Sequence, residues 1–211
     1  PAHQHPGRPA AELPRGHAMT LRLITAPSAE PLSLTEAKLH LRVEHTADDD
    51  LITALIQSAR ERAEHLLGRA LITQTWARVL DAFPPNEIEL GMPPVQSITS
   101  VVYIDGDGDS QTMASTDYSL DTTTAPGWLL MAESLSAWPT TLDTANAVTV
   151  TFVAGYGANG ASVPAAIRAW MKLEIGTLYK HREAIVAGVS VSDLPGGFHE
   201  RLLDPYRQWR V

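Results

Sequence analysis

The chain predicts an α+β fold, with two N-terminal helices and a C-terminal helix forming a helical core and a β meander or small barrel inserted between them. Three observations lead there. Apolar residues recur at spacings of three and four in two segments before Gly68 and in one after Pro164. Between them, from Thr73 to Phe152, short β-type runs alternate with Pro, Gly and Asp turn signals. No segment repeats with a fixed period, which sets aside a solenoid or a propeller.

In chain order, residues 1–18 are rich in Pro, Ala, His and Gly and lack the apolar stretch of a secretory signal. They are expected to be a disordered leader, either a cloning remnant or an over-long reading of the gene start, with Met19 as the natural first residue. Residues 19–72 form the N-terminal helical part. Its first helix should start after Ser33, whose hydroxyl and Glu36 three residues on make the capping-box pattern, and run to about Val43. The second helix is the clearest. Asp48, Asp49 and Asp50 suit a helix N-terminus, Leu51, Ile52, Leu55, Ile56, Ala59, Ala63, Leu66 and Leu67 trace one stripe, and Gly68 suits the C-cap.

Residues 73–160 form the β insertion. Expected strands are Thr73–Leu80, Glu87–Leu90, Ser97–Ile104, Tyr118–Leu120, Trp128–Met131 and Val148–Phe152. Residues 161–186 hold the third helix, opened by Pro164, whose fixed φ suits a first turn, and expected to pack on the N-terminal pair. Its apolar residues Ile167, Trp170, Met171, Leu173, Ile175, Leu178 and Tyr179 cover more than one face, so it should be covered on several sides, by the core or by a neighbouring subunit. Residues 187–211 read as a flexible loop and a C-terminal arm. The arm carries Arg201, Tyr206, Arg207, Trp209 and Arg210, residue types enriched where interfaces concentrate their binding energy. Trp170, Leu178 and Tyr179 on the helix complete the set of candidate contacts with neighbouring subunits or partner proteins.

Composition narrows the function. Hydrophobic residues make up 44% and charged ones 19%, ordinary for a globular protein. The net charge of −8 argues against a chain whose main task is gripping DNA, since that affinity rests on cations neutralising phosphates. An acidic wall would instead let DNA slide past. With no cysteine, disulfides, thiolate metal sites and cysteine nucleophiles are excluded. No uninterrupted apolar run approaches the roughly 20 residues a bilayer-spanning helix requires.

Few motifs suggest chemistry. Asp105, Asp107 and Asp109 open like a calcium loop, but Ser110 and Thr116 stand where that loop needs Gly and Glu, and the flanks read as strands. A hairpin turn is the better reading, with the three aspartates kept as weak metal candidates. Gly155-Tyr156-Gly157 lacks the spacing and the Gly-Lys-Ser/Thr of a phosphate cradle and reads as an exit from the sheet. Gly-x-Ser-x-Gly, Ser-x-x-Lys and His-Glu-x-x-His do not occur, and His40, His45, His65 and His181 form no i, i+4 ligand pair. No catalytic residue or cofactor is expected.

A series of short motifs adds a resemblance. It runs from Leu34-Thr35-Glu36-Ala37-Lys38-Leu39-His40-Leu41-Arg42-Val43 through Asp49-Asp50, Gly68-Arg69-Ala70-Leu71 and Gln74-Thr75-Trp76. It continues with Pro93-Pro94-Val95-Gln96-Ser97-Ile98, Tyr103-Ile104-Asp105-Gly106-Asp107-Gly108 and Ala154-Gly155-Tyr156-Gly157, and ends with Val163-Pro164-Ala165-Ala166-Ile167-Arg168 and Leu178-Tyr179-Lys180-His181-Arg182-Glu183. In order and spacing these resemble the head–tail connector (adaptor) family of tailed phages and prophages, from about Leu32 to Arg210. The resemblance implies a non-enzymatic virion protein made in the bacterial cytoplasm and placed at the head–tail junction. It further implies a ring of about twelve copies, with a monomer in isolation left open. The implied partners are the portal protein and a tail-completion protein, with DNA passing through unbound and no membrane involved. Two other readings stay open: a ligand- or carbohydrate-binding β module with Trp128 and Trp138 as contacts, and a hydrolase with its acids in the β region.

Overall fold

The computed structural model describes residues 20–181 and 200–208. The leader 1–18, most of the 187–211 segment, Trp209 and Arg210 lie outside the described residues.

The fold is α+β, with a helical half and a β half that each bury their own apolar cluster. The chain opens with a strand, β1 (Thr20–Thr25), and not with a helix. This six-residue segment is mostly exposed, Leu23 and Ile24 included, and its role is visible only in its pairing with a strand about fifty residues on. Helix α1 (Leu34–Leu41) starts as the capping box requires: Ser33 Oγ accepts from the Glu36 amide at 3.2 Å, and Glu36 Oε2 accepts from the Ser33 amide at 3.1 Å. Arg42, in the left-handed region at φ 57°, ends it two residues short of Val43. Helix α2 (Asp49–Leu67) ends at Gly68, φ 63°, whose missing Cβ suits that conformation. Ile52, Ile56, Ala59, Ala63 and Leu67 form its buried stripe.

The sheet strands follow: β2 (Gln74–Leu80), β3 (Ile88–Glu89), β4 (Val95–Ile104), β5 (Ser110–Thr112), β6 (Tyr118–Asp121), β7 (Trp128–Met131) and β8 (Val148–Ala154). They form two antiparallel sheets, ordered β1-β2-β8-β4-β5 and β3-β7-β6. A simple meander would pair each strand with the next, but β8 returns to lie between β2 and β4. β3, β6 and β7 build the smaller sheet, while β4 and β5, which lie between them in sequence, join the main one beside β8. The two sheets share an apolar cluster that includes Leu80, Ile88, Val101, Leu129, Val150 and Phe152. Alternate residues of β8 point into it (Val148, Val150, Phe152, Ala154), as expected of a strand with one covered face.

After β8, Gly155 adopts φ +130°, and a Cβ there would sit 2.5 Å from the Ile72 backbone. Only glycine allows this close passage between the end of the sheet and the segment joining α2 to β2. Helix α3 (Ala165–Lys180) then packs against α1 and α2. Ile167, Trp170, Met171 and Ile175 lie in one cluster with the stripe of α2 and with Leu32, Val163 and Leu203. The breadth of apolar surface on α3 is thus largely taken up inside the subunit.

Candidate interaction surface

Polar ties set the relative positions of the three helices. Glu64, 7% exposed, accepts from the Leu71 amide at 2.9 Å and from Gln74 Nε2 at 2.6 Å through one oxygen, and from Arg60 Nη1 at 2.9 Å through the other. It therefore joins α2 to the first residue of β2. Burial pushes the Glu64 carboxyl above its usual range, against the pull of these donors. Arg60 is 6% exposed and also donates to Glu30 Oε2 at 2.9 Å. Burial works against its charge, but Glu64 and Glu30 outweigh that effect and its pKa is raised. Arg62 reaches Glu174 on α3 at 2.7 Å. Arg168 on α3 bonds Glu36 and the Pro31 carbonyl, so α1 lies beside α3. The Ser33 amide is the main influence lowering the Glu36 pKa, with Arg168 and Lys172 adding to it. Further along, His40 lies against Gly176, 3.6 Å from where a Cβ would stand.

The outer side of this α1–α3 pair carries exposed leucines and several cations, together with the acids Glu36, Glu44 and Asp49. Leu39 is 80% exposed and Leu173 40%. Beside Leu39 lies a cleft of about 660 Å³ lined by Leu34, Lys38, Arg42, Val43 and Asp49, among others. Lys38 is engaged by Asp49. Among the described residues no ion pair uses Arg42, Lys172 or Lys180. A second open surface is the β1 edge of the main sheet, where Leu23 is 42% and Ile24 47% exposed.

Charge is unevenly divided. Residues 73–160 carry ten Asp and Glu and a single cation, Arg78, while the rest of the chain carries 14 acids and 15 Lys and Arg. The whole excess of negative charge therefore lies in the β half. Asp107 and Asp109 are exposed at the β4–β5 hairpin.

The candidate contact residues do not come together as one patch. Trp170 is fully buried in the helical cluster and is corrected here from an interface candidate to a core residue. The side chain is too large to leave exposed on a helix that must close against two others. Leu178 and Tyr179 are half-buried, and the Tyr179 hydroxyl bonds Asp48, holding the end of α3 to the start of α2. The arm turns back on its own subunit. Leu203 is fully buried, Leu202 and Tyr206 pack on the helical cluster, and Arg69 Nε donates to the Tyr206 carbonyl. Arg207 pairs with Glu200 at 3.6 Å and Asp204 at 3.5 Å, and of the candidates among the described residues of the arm Arg201 alone is exposed. Leu173 shares the apolar spacing of α3 and so reads as a core position, whereas Leu39 lies off the Leu34–Ala37–Leu41 stripe, which is the sequence signal of its outward placement.

Asp105 serves the hairpin. Its Oδ1 accepts from the amides of Asp107 at 3.1 Å and Asp109 at 3.0 Å, and Oδ2 accepts from Gln111 Nε2 at 2.7 Å. Gln111 is the largest influence lowering its pKa, followed by the Asp109 amide. Among the described residues no group of three His, Asp or Glu is placed to hold a metal ion. Trp138 stacks on Phe83 with ring centres 5.0 Å apart and donates to the Asn86 carbonyl at 3.1 Å, which gives that tryptophan a packing role. No helix among the described residues is long and apolar enough to cross a membrane.

Comparison with known proteins gives three results. Residues 31–105 match the family model of the phage gp6-like head-tail connector protein. No curated protein sequence matches the chain. Among solved structures, a chain from the neck of an empty gene transfer agent (GTA) particle, computed with C6 symmetry, superposes with a TM-score of 0.74 at 23% identity, covering 91% of this chain and 97% of that one. A chain from the virion of a native GTA particle gives 0.72 at 24% identity over 90% and 96%. A chain from the neck of a native GTA particle, computed with C12 symmetry, gives 0.71 at 22% identity over 91% and 97%. These likenesses carry the fold over about nine-tenths of the chain. Residues 31–105, which form α1, α2 and β2 to β4, are similar to the phage gp6-like head-tail connector family.

Proposed function

We propose that this chain is a structural head–tail connector subunit that works in a ring at the neck of a phage or phage-derived particle, joining portal to tail while DNA passes through. The observation that carries this reading is the agreement of two independent likenesses. The connector-family match covers the segment that builds α1 and α2, and the fold over nine-tenths of the chain is that of chains in GTA particles, two of them from particle necks. Neck structures computed with C6 and C12 symmetry support an oligomeric ring, here of about twelve copies. The role is mechanical. The buried and half-buried carboxylates of the helical half, Glu30, Glu36 and Glu64, are tied to arginines that hold elements together.

The portal and a tail-completion protein are the proposed partners. With residues 200–208 packed on the subunit, the arm offered to the portal reduces to Arg201 and the last residues, Trp209 and Arg210. The decisive measurement is the mass of the chain, alone and mixed with a portal protein. A complex whose stoichiometry matches a portal ring is expected, and a strict monomer that ignores the portal would overturn the reading. A chain ending at Gly197 should join portal complexes more weakly; unchanged affinity would remove the arm from the interface.

A further inference from the structure

We infer that the outer face of the α1–α3 pair, centred on Leu39 and Leu173, is the surface on which each subunit receives the acidic β half of the next copy. The inference rests on the ring reading and names its contact. A closed ring needs heterologous contacts, in which two different surfaces of the same chain meet. The molecule presents two that match. One is the α1–α3 face, with the most exposed large apolar residue among those described, a cleft beside it, and the cations Arg42, Lys172 and Lys180 outside any ion pair there. The other is the β half, with ten carboxylates against Arg78.

This separation answers a physical difficulty. Copies with a net charge of −8 repel one another when they approach at random. A head-to-tail approach that sets the acidic half of one copy on the cation-bearing face of the next turns the same charges into attraction and fixes the direction of travel round the ring. Leu39 and Leu173 supply the apolar area that the charges orient.

The test is self-association of the full chain by analytical ultracentrifugation, at low and high salt, with variants at three positions. Leu39→Glu and Leu173→Glu, both at exposed sites that leave folding intact by circular dichroism, should weaken association about tenfold or more. Leu39→Lys should weaken it less than Leu39→Glu, because an acidic occupant tolerates a cation. Wild-type association should fall as salt rises, since screening removes the attraction. The contact is overturned if both glutamate variants associate like wild type while Ile24→Glu on the β1 edge dissociates the oligomer. The acidic occupant is overturned if Leu39→Lys is as damaging as Leu39→Glu, or if salt strengthens association. A wild-type chain that stays monomeric at every concentration, with and without a portal protein, would sink the ring reading itself, a result distinct from the other outcomes.

Discussion

In the helical half, charge is taken inside and answered: Arg60 and Glu64 are 6% and 7% exposed, and every oxygen of Glu64 has a donor. In the β half, ten carboxylates face one cation, and those whose bonds are resolved, such as Asp105 and Asp121, accept amide hydrogens in turns. The difference follows from what each half has to specify. Three helices can slide and rotate against one another with little change in apolar burial, so buried ion pairs at defined points hold their register. Strands are already registered by backbone hydrogen bonds, and the β half needs only an apolar interior and well-formed turns.

That contrast is open to mutation, beginning with the apolar clusters. Trp170→Ala in the helical half and Phe152→Ala in the β half should each cost about 3–5 kcal/mol in denaturant unfolding. Both should move one shared transition, because Glu64 and the Gly155 passage couple the halves. A variant that splits the curve into two steps would show that the halves unfold separately. Next in size, Glu64→Ala should cost about 3 kcal/mol by leaving Arg60 buried without its main partner. Glu64→Gln should cost less. Because the Glu64 carboxyl is raised, its ionised form is disfavoured in the fold. Its contribution is therefore most favourable below the ordinary carboxylate range and is lost as pH rises through the raised value. The Gln variant should lack this dependence, as read from stability measured between acid and neutral pH.

The smallest effect belongs to the cap. Ser33→Ala should cost about 1 kcal/mol at neutral pH. Glu36 behaves oppositely to Glu64: its lowered pKa means that its contribution is present above the ordinary range and disappears as pH falls through the lowered value. The gap between Ser33→Ala and wild type should narrow in acid. A gap that stays constant would show that the reciprocal Glu36 bond contributes little.

Local signals were readable wherever one residue type has one physical use. Ser33 with Glu36, Gly68 and Pro164 marked helix ends, and all six expected strands lie within two residues of their observed limits at both ends. The hairpin reading of Asp105–Asp109 came from the same kind of evidence, since Asp and Gly relieve a turn whatever surrounds it. Trp170 shows where such reasoning fails. Tryptophan is common both in cores and at interfaces, and only the placement of α1, α2 and Leu203 around it decides which. Strand β1 failed for a related reason, because a short edge strand has almost no pattern apart from its partner.

The sequence by itself determined the α+β class, the helix boundaries, the connector-like order of motifs and the net acidity, because each depends on neighbours a few residues apart or on simple inventory. Only the tertiary structure decided that β8 returns between β2 and β4, that residues 200–208 fold onto their own subunit, and that Trp170 is a core residue. These are questions of which apolar surface covers which, and many pairings of the same stripes bury similar area. The choice is made by long-range contacts, such as Glu64 to Gln74 and Arg168 to Glu36, whose geometry no local pattern encodes.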